Sequence, residues 1–287
     1  MCLTESCSAK STEPEIVLVG STPGDEPIKL MLSISPDTKV DFIKWNLKTG
    51  DKNRFVLDIS YGESQPNTLG FKSGGQTKNI KGSYLITKNE SPGPFKVIYQ
   101  LKGDNLPGNI SLVKINENVY HILTSGNQLM IGNGGWSYSL SRKNPVATGK
   151  ILISSSYSDN KSLQLVFDGR TPCQEIAMEH PEMKANTTCF KLKWRLTLYR
   201  DSVTYRPTTC IIRNIVDNEP RDIPGKWEII KGTPTNPDAV IYKVVVDNLA
   251  RPILLFVGDD NVLFFLDRNN QPFTGNTDFS FVLNKKM

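Results

Sequence analysis

The chain of 287 residues is poor in the features that announce chemistry. It holds only two histidines, His121 and His180, and neither lies near an obvious nucleophile. Nucleophilic catalysis needs a base within hydrogen-bond reach of the attacking group. There is no G-x-S-x-G elbow, no H-E-x-x-H pair, no P-loop and no dinucleotide fingerprint. These gaps point away from an enzyme and imply no cofactor. No apolar run approaches the ~20 residues of a membrane-spanning helix. Zinc-finger spacing, an RNP-like aromatic motif and a basic tail are missing too, which argues against a nucleic-acid partner. Lys and Arg number 34 against 29 Asp and Glu. The basic residues alternate singly with apolar ones, as on a solvated outer face, and make no block.

What is present is a repeat, and a fixed period decides the architecture before any local reading. GNGGWSYSL (residues 132–140) returns as GNTDFSFVL (residues 275–283), an offset of 143 residues. The match runs back without a gap to Gly82 on Gly225, and about a third of its 59 positions are identical. Within it VIY (residues 97–99) falls on VIY (residues 240–242), and Asn118-Val119 falls on Asn261-Val262. Upstream the offset becomes 149: Lys44-Trp45 falls on Lys193-Trp194, and Thr22-Pro23 on Thr171-Pro172. This is a tandem duplication. The expected division is a flexible tether over residues 1–14, a first barrel over 15–143, a linker over 144–150 and a second barrel over 151–287. Each copy is long enough for its own core.

The hydrophobic period is two. In FKLKWRLTLY (residues 190–199), Phe190, Leu192, Trp194, Leu196 and Leu198 share one face, and Lys191, Lys193, Arg195 and Thr197 share the other. That is a half-buried strand. In the repeated phrase Trp136, Tyr138 and Leu140 are expected to face in and Ser137, Ser139 and Ser141 out; Phe279, Phe281 and Leu283 follow the same pattern. Gly- and Pro-bearing turns every dozen or so residues predict antiparallel hairpins. Helix is scarce. One per copy follows the Thr-Pro pair, with Thr171 as N-cap, Pro172 at N1 and Gln174 at N3, ending before Pro181. Gly24 and Pro27 predict a shorter or 3₁₀ version in the first copy. The fold class is therefore all-β: two tandem antiparallel up-and-down barrels, each with one short helix near its start.

Inward aromatics form the candidate interior. Trp45, Tyr84, Tyr99, Trp136 and Tyr138 would line the first barrel, and Trp194, Trp227, Tyr242, Phe279 and Phe281 the second. They either surround a lipophilic ligand or simply fill the core. Cys173 and Cys189 would close a loop of about 16 residues, worth roughly 3 kcal/mol in the chain-entropy model; the alternative is separate buried thiols, with Cys210 a third. Cys2 and Cys7, in the small and polar N-terminal segment, are lipidation candidates. His121 aligns with Phe264 and reads as a packed or exposed strand residue, not a ligand; His180 would carry partial positive charge at a helix end. Asp259-Asp260 reads as a turn, and ISSSYS (residues 153–158) as an exposed strand or linker edge.

The pattern FDGRTPCQEI, FKLKWRLTLYRD, GKWEI, VIYKV and NVLFFLD resembles the N-terminal barrel of the NlpE copper-resistance lipoproteins, which is similar to lipocalins. The likeness covers residues 167 to about 272; the first copy joins only through its likeness to the second. It implies an exported protein of a Gram-negative envelope, periplasmic or anchored at the outer membrane, touching the membrane only through an N-terminal lipid. The family's copper chemistry rests on a Cys-x-x-Cys pair. Here Ile176 stands three residues after Cys173, and Gly24 replaces Cys173 in the first copy, so no metal site is expected. Three readings remain: a scaffold or sensor that meets other envelope proteins, a carrier of a small lipophilic molecule, and the copper role of the family name.

Overall fold

The computed structural model describes residues 15–89, 93–147, 150–158, 161–183, 189–216, 219–232, 236–247 and 249–286. The chain folds into two closed antiparallel barrels of eight strands. The first runs β1 (Ile16–Pro23), α1 (Glu26–Met31), β2 (Phe42–Gly50), β3 (Arg54–Gly62), β4 (Gln76–Lys88), β5 (Val97–Gly103), β6 (Ile110–Lys114), β7 (Val119–Ile122) and β8 (Ser139–Arg142). The second runs β9 (Gln164–Thr171), α2 (Gln174–Glu179), β10 (Leu192–Arg200), β11 (Pro207–Val216), β12 (Glu219–Lys231), β13 (Val240–Val246), β14 (Ile253–Val257), β15 (Val262–Leu266) and β16 (Val282–Lys285). Each strand pairs with the next, the up-and-down order that hairpin turns dictate.

Closure depends on short contacts. β1 meets β8 through Leu18↔Arg142 and Val19↔Ser141, and β9 meets β16 through Phe167↔Lys285 and Asp168↔Asn284. Just beyond these pairs stand Gly20 and Gly169. A Cβ on Gly20 would lie 2.8 Å from the Ser139 carbonyl oxygen, and one on Gly169 2.5 Å from that of Val282. Only glycine lets the last strand close on the first here.

The helices depart from expectation in two ways. α2 starts at Gln174 with Cys173 as its N-cap, so Thr171 caps nothing. Thr171 ends β9, and its hydroxyl accepts a hydrogen bond from the Trp194 indole at 2.8 Å; Thr22 does the same for Trp45 at 2.9 Å. The Thr-Pro pair recurs in a place where a buried indole needs an acceptor. α1 is an α-helix of six residues, as long as α2, despite Gly24 and Pro27. Pro27 sits in its first turn, where a missing N–H costs nothing.

Each barrel has its own apolar core, and a third apolar cluster lies between them. On β15 all five residues are buried: Leu263 and Phe265 point into the barrel, and Val262, Phe264 and Leu266 into the shared cluster. β7 is buried on both faces likewise. The segment after the first barrel joins this junction. Ile151 and Ile153 are buried in it, Leu152 N–H donates to the Ile115 carbonyl, and Ser156 N–H to that of Gly258. ISSSYS is thus partly a buried strap and not a free edge.

The junction pairs equivalent positions of the duplication. Gly132 N–H donates to Asn284 Oδ1 at 2.7 Å, and its equivalent Gly275 N–H donates to Ser141 Oγ, on the residue equivalent to Asn284, at 2.8 Å. Ser137 Oγ and Ser280 Oγ, also equivalent, are 2.6 Å apart. The His121 ring meets its equivalent, Phe264, edge-on at 5.7 Å. Reciprocal contact between matching residues is the signature of an isologous interface. The two barrels therefore dock as the halves of a two-fold dimer would, within one chain.

Candidate functional site at the junction of the barrels

The expected interior aromatics divide into two groups. Trp45, Tyr84, Tyr99 and Tyr138 lie in the first core, and Trp194, Trp227, Tyr242 and Phe281 in the second. They pack on one another: Tyr99 meets Tyr120 at 5.4 Å, Trp227 meets Tyr242 at 5.0 Å, and Trp194 meets Phe265 at 5.1 Å. Leu57, Leu101, Ile122, Leu192, Leu198 and Val244 beside them have no accessible surface. Side chains occupy these interiors as they occupy any close-packed core. Burial and the Asp25 carboxylate, 2.5 Å away, hold the Tyr138 hydroxyl protonated.

Trp136 and Phe279 belong to neither core, a correction to their expected inward placement. They precede β8 and β16, so strand alternation does not reach them. Both line a groove where the barrels meet. Ser139 and Ser141 point out of the first barrel but are buried, because the second barrel covers them.

Cys173 and Cys189 form a disulfide, with sulfurs 2.02 Å apart. Cys210 is a buried free thiol, its pKa pushed up to about 11 by desolvation. Cys2 and Cys7 lie outside the described residues. His121 is fully buried at the junction, its Nδ1 2.8 Å from Ser139 Oγ and its Nε2 2.8 Å from the Met130 carbonyl oxygen. Burial pushes its pKa down to about 4, so the ring is neutral and both nitrogens are engaged. His180 is buried as well, and desolvation lowers its pKa, against the expected positive charge at the helix end. Among the described residues no group of three or more His, Cys, Asp or Glu side chains is placed to hold a metal ion. Asp259 accepts the backbone N–H groups of Asn261 and Val262, which makes it a turn residue.

The groove is built by both barrels. On one wall Phe71, Phe42 and Trp136 stack face to face, with ring centres 4.3 and 4.8 Å apart. Arg170, from β9 of the other barrel, lies over Trp136 at 5.1 Å. Two adjoining clefts of about 210 and 350 Å³ share Arg170 and Lys193. The first adds Lys191, Asp278 and the loop Ser64–Leu69; the second adds Gly134, Gly135, Arg195 and Arg213. Arg195 is held by both carboxylate oxygens of Asp168, at 2.7 and 2.8 Å, and Arg213 by those of Asp222 at 2.6 Å. Burial disfavours the charged form of Arg170. Burial first, and then the charges of Arg170 and Lys193, lower the pKa of Lys191.

Sequence reasoning missed this site. Arg170, Lys191 and Lys193 sit at outward positions of β9, β10 and the residue before it, where a basic residue reads as solvated. The faint signal was Gly134-Gly135 standing where the second copy has Thr277-Asp278. Compared with known proteins, the chain matches no family model, no curated protein and no solved structure.

Proposed function

We propose that the protein is a non-enzymatic scaffold or sensor of the cell envelope, built from two NlpE-like barrels, whose working surface is the junction and not the inside of either barrel. The observation that carries this reading is the contrast between the filled interiors and the open groove lined by residues of both barrels. A surface that exists only when two domains dock reports their docking, which suits a sensor or an assembly point. The likeness of its motifs to the NlpE lipoproteins supports an envelope location. So does the Cys173–Cys189 disulfide, since such bonds persist in oxidising compartments.

The test is site-specific photocrosslinking in intact cells. A photoreactive residue at Leu69, beside the groove, is expected to trap a defined envelope partner. The same residue at the exposed Leu85, on β4, is expected to trap none. Equal yields at both sites would overturn the reading. So would a lipophilic molecule retained in native mass spectra, since that calls for a hollow barrel.

A further inference from the structure

The duplication supplies an internal control for the groove. Lys44 and Lys193 are equivalent, as are Asp278 and Gly135. In one half of the junction Lys44 Nζ donates to Asp278 Oδ1 at 2.6 Å, and Ser21 Oγ donates to the Thr277 carbonyl oxygen at 2.7 Å. That half satisfies itself. In the other half Arg170 replaces Ser21, Lys191 replaces Phe42, and Gly134-Gly135 replaces Thr277-Asp278. Two cations have been added and the counter-carboxylate removed. Among the described residues no carboxylate lies within ion-pair range of Arg170, Lys191 or Lys193. The turn itself is kept. Asn133 Oδ1 accepts the N–H groups of Gly135 and Trp136 at 2.9 and 3.0 Å, and Asn276 Oδ1 those of Asp278 and Phe279 at 2.9 Å each.

Crowded cations that are partly desolvated and lack a carboxylate destabilise a protein unless an anion joins them. Resting on the reading of the junction as the working surface, we infer that this half of the groove binds a small phosphate-bearing molecule. Arg170, Lys191 and Lys193 take the phosphate oxygens, and Trp136 offers a flat apolar face to the body of the ligand. The guanidinium of Arg170 suits a phosphate because its planar fork gives two parallel hydrogen bonds. Gly135 stands beside it: a Cβ there would lie 3.5 Å from Arg170 Cζ, in ordinary contact, so a side chain at this position would reach the guanidinium. The phosphate comes from a soluble phosphomonoester or from a lipid headgroup, and the assay separates the two.

The experiment titrates the full chain with phenyl phosphate and with inorganic phosphate, read by calorimetry and tryptophan fluorescence at low salt. Phenyl phosphate is expected to bind with a Kd of about 0.1–1 mM, several-fold tighter than inorganic phosphate and more weakly as salt rises. Gly135→Asp restores the carboxylate that Asp278 supplies in the other half, on a turn shown to carry aspartate. It is expected to raise the Kd at least about tenfold with an unchanged melting temperature, since the new charge occupies the cations. Arg170→Gln should do likewise, and Lys102→Gln, an exposed change of the same charge on β5, should do nothing. No heat up to about 10 mM phenyl phosphate, or an equal Kd in Gly135→Asp, would overturn the inference. Flotation with phosphatidylglycerol vesicles that Gly135→Asp abolishes, alongside phenyl phosphate binding, assigns the headgroup source. Flotation without phenyl phosphate binding overturns the site. Silence toward phosphate with groove-specific crosslinks intact sinks this inference alone. Phosphate binding with crosslinks spread evenly sustains it and sinks the partner reading.

Discussion

The two barrels hold their helix-bearing mouths shut with different chemistry at the same places. In the second barrel Cys173 and Cys189 form a disulfide. Their equivalents in the first are Gly24 and Val40. A Cβ on Gly24 would lie 2.4 Å from a Val40 methyl carbon, so backbone and side chain are already in contact. The first barrel adds the Tyr138 hydroxyl, which donates to Asp25 just before α1. The second has Phe281 and Gln174 at those positions, so the hydroxyl and the carboxylate are replaced together. One fold thus tolerates a covalent staple or a packed one, provided the loop after the helix is tied to the barrel end. The junction repeats the lesson, with one half neutralised by Asp278 and the other left open by Gly135.

The equivalence of the barrels is most severely tested at the two tryptophans. Trp45→Ala and Trp194→Ala should each cost about 3–5 kcal/mol in urea unfolding, since both remove a buried ring and strand a threonine hydroxyl. A difference above about 2 kcal/mol would show that the cores are not interchangeable. Next, replacing Cys173 and Cys189 together by alanine should cost about 3 kcal/mol, confined to the second barrel. Hydrogen exchange would read this as faster amides in β9 and β10, with β1 and β2 unchanged. The first barrel's counterpart, Tyr138→Phe, should cost about 1–2 kcal/mol and speed exchange there alone.

Acid tests the junction. Folded His121 takes a proton only near pH 4, whereas unfolded it does so near 6.5. Between those values the unfolded chain binds more protons, so stability falls as pH drops from about 6.5 toward 4 and is full above 6.5. The shift corresponds to a loss of up to about 3 kcal/mol at the acid end. His121→Phe, which copies Phe264, should flatten this slope in denaturation curves at pH 7 and pH 4.5. An unchanged slope would place the acid sensitivity elsewhere. The smallest effect is expected at the closed half of the groove: Lys44→Ala should cost less than about 1 kcal/mol, because the pair with Asp278 is partly solvated.

Much of the architecture could be read along the chain. Alternation in residues 42–47 and 192–198 set the inward faces, though Phe190, ahead of the strand, is exposed, and the repeat set the number of barrels. The errors have local causes. Thr171 fits a capping box and an indole acceptor equally well, and only the approach of Trp194 chooses. Trp136 and Phe279 keep the apolar phase of strands that have not yet begun. The runs VYHI (residues 119–122) and VLFFL (residues 262–266) carry apolar or aromatic side chains at every position, a hint that both faces were covered.

The sequence by itself determined that there are two copies of one closed antiparallel barrel, because strand period and hairpin turns act between neighbours in the chain. Only the tertiary structure decided how the copies dock and which half of the groove stays open. Those outcomes depend on contacts between residues more than a hundred positions apart, such as Lys44 with Asp278 and Ser137 with Ser280, and on a missing carboxylate at Gly135 that matters only once Arg170 arrives beside it.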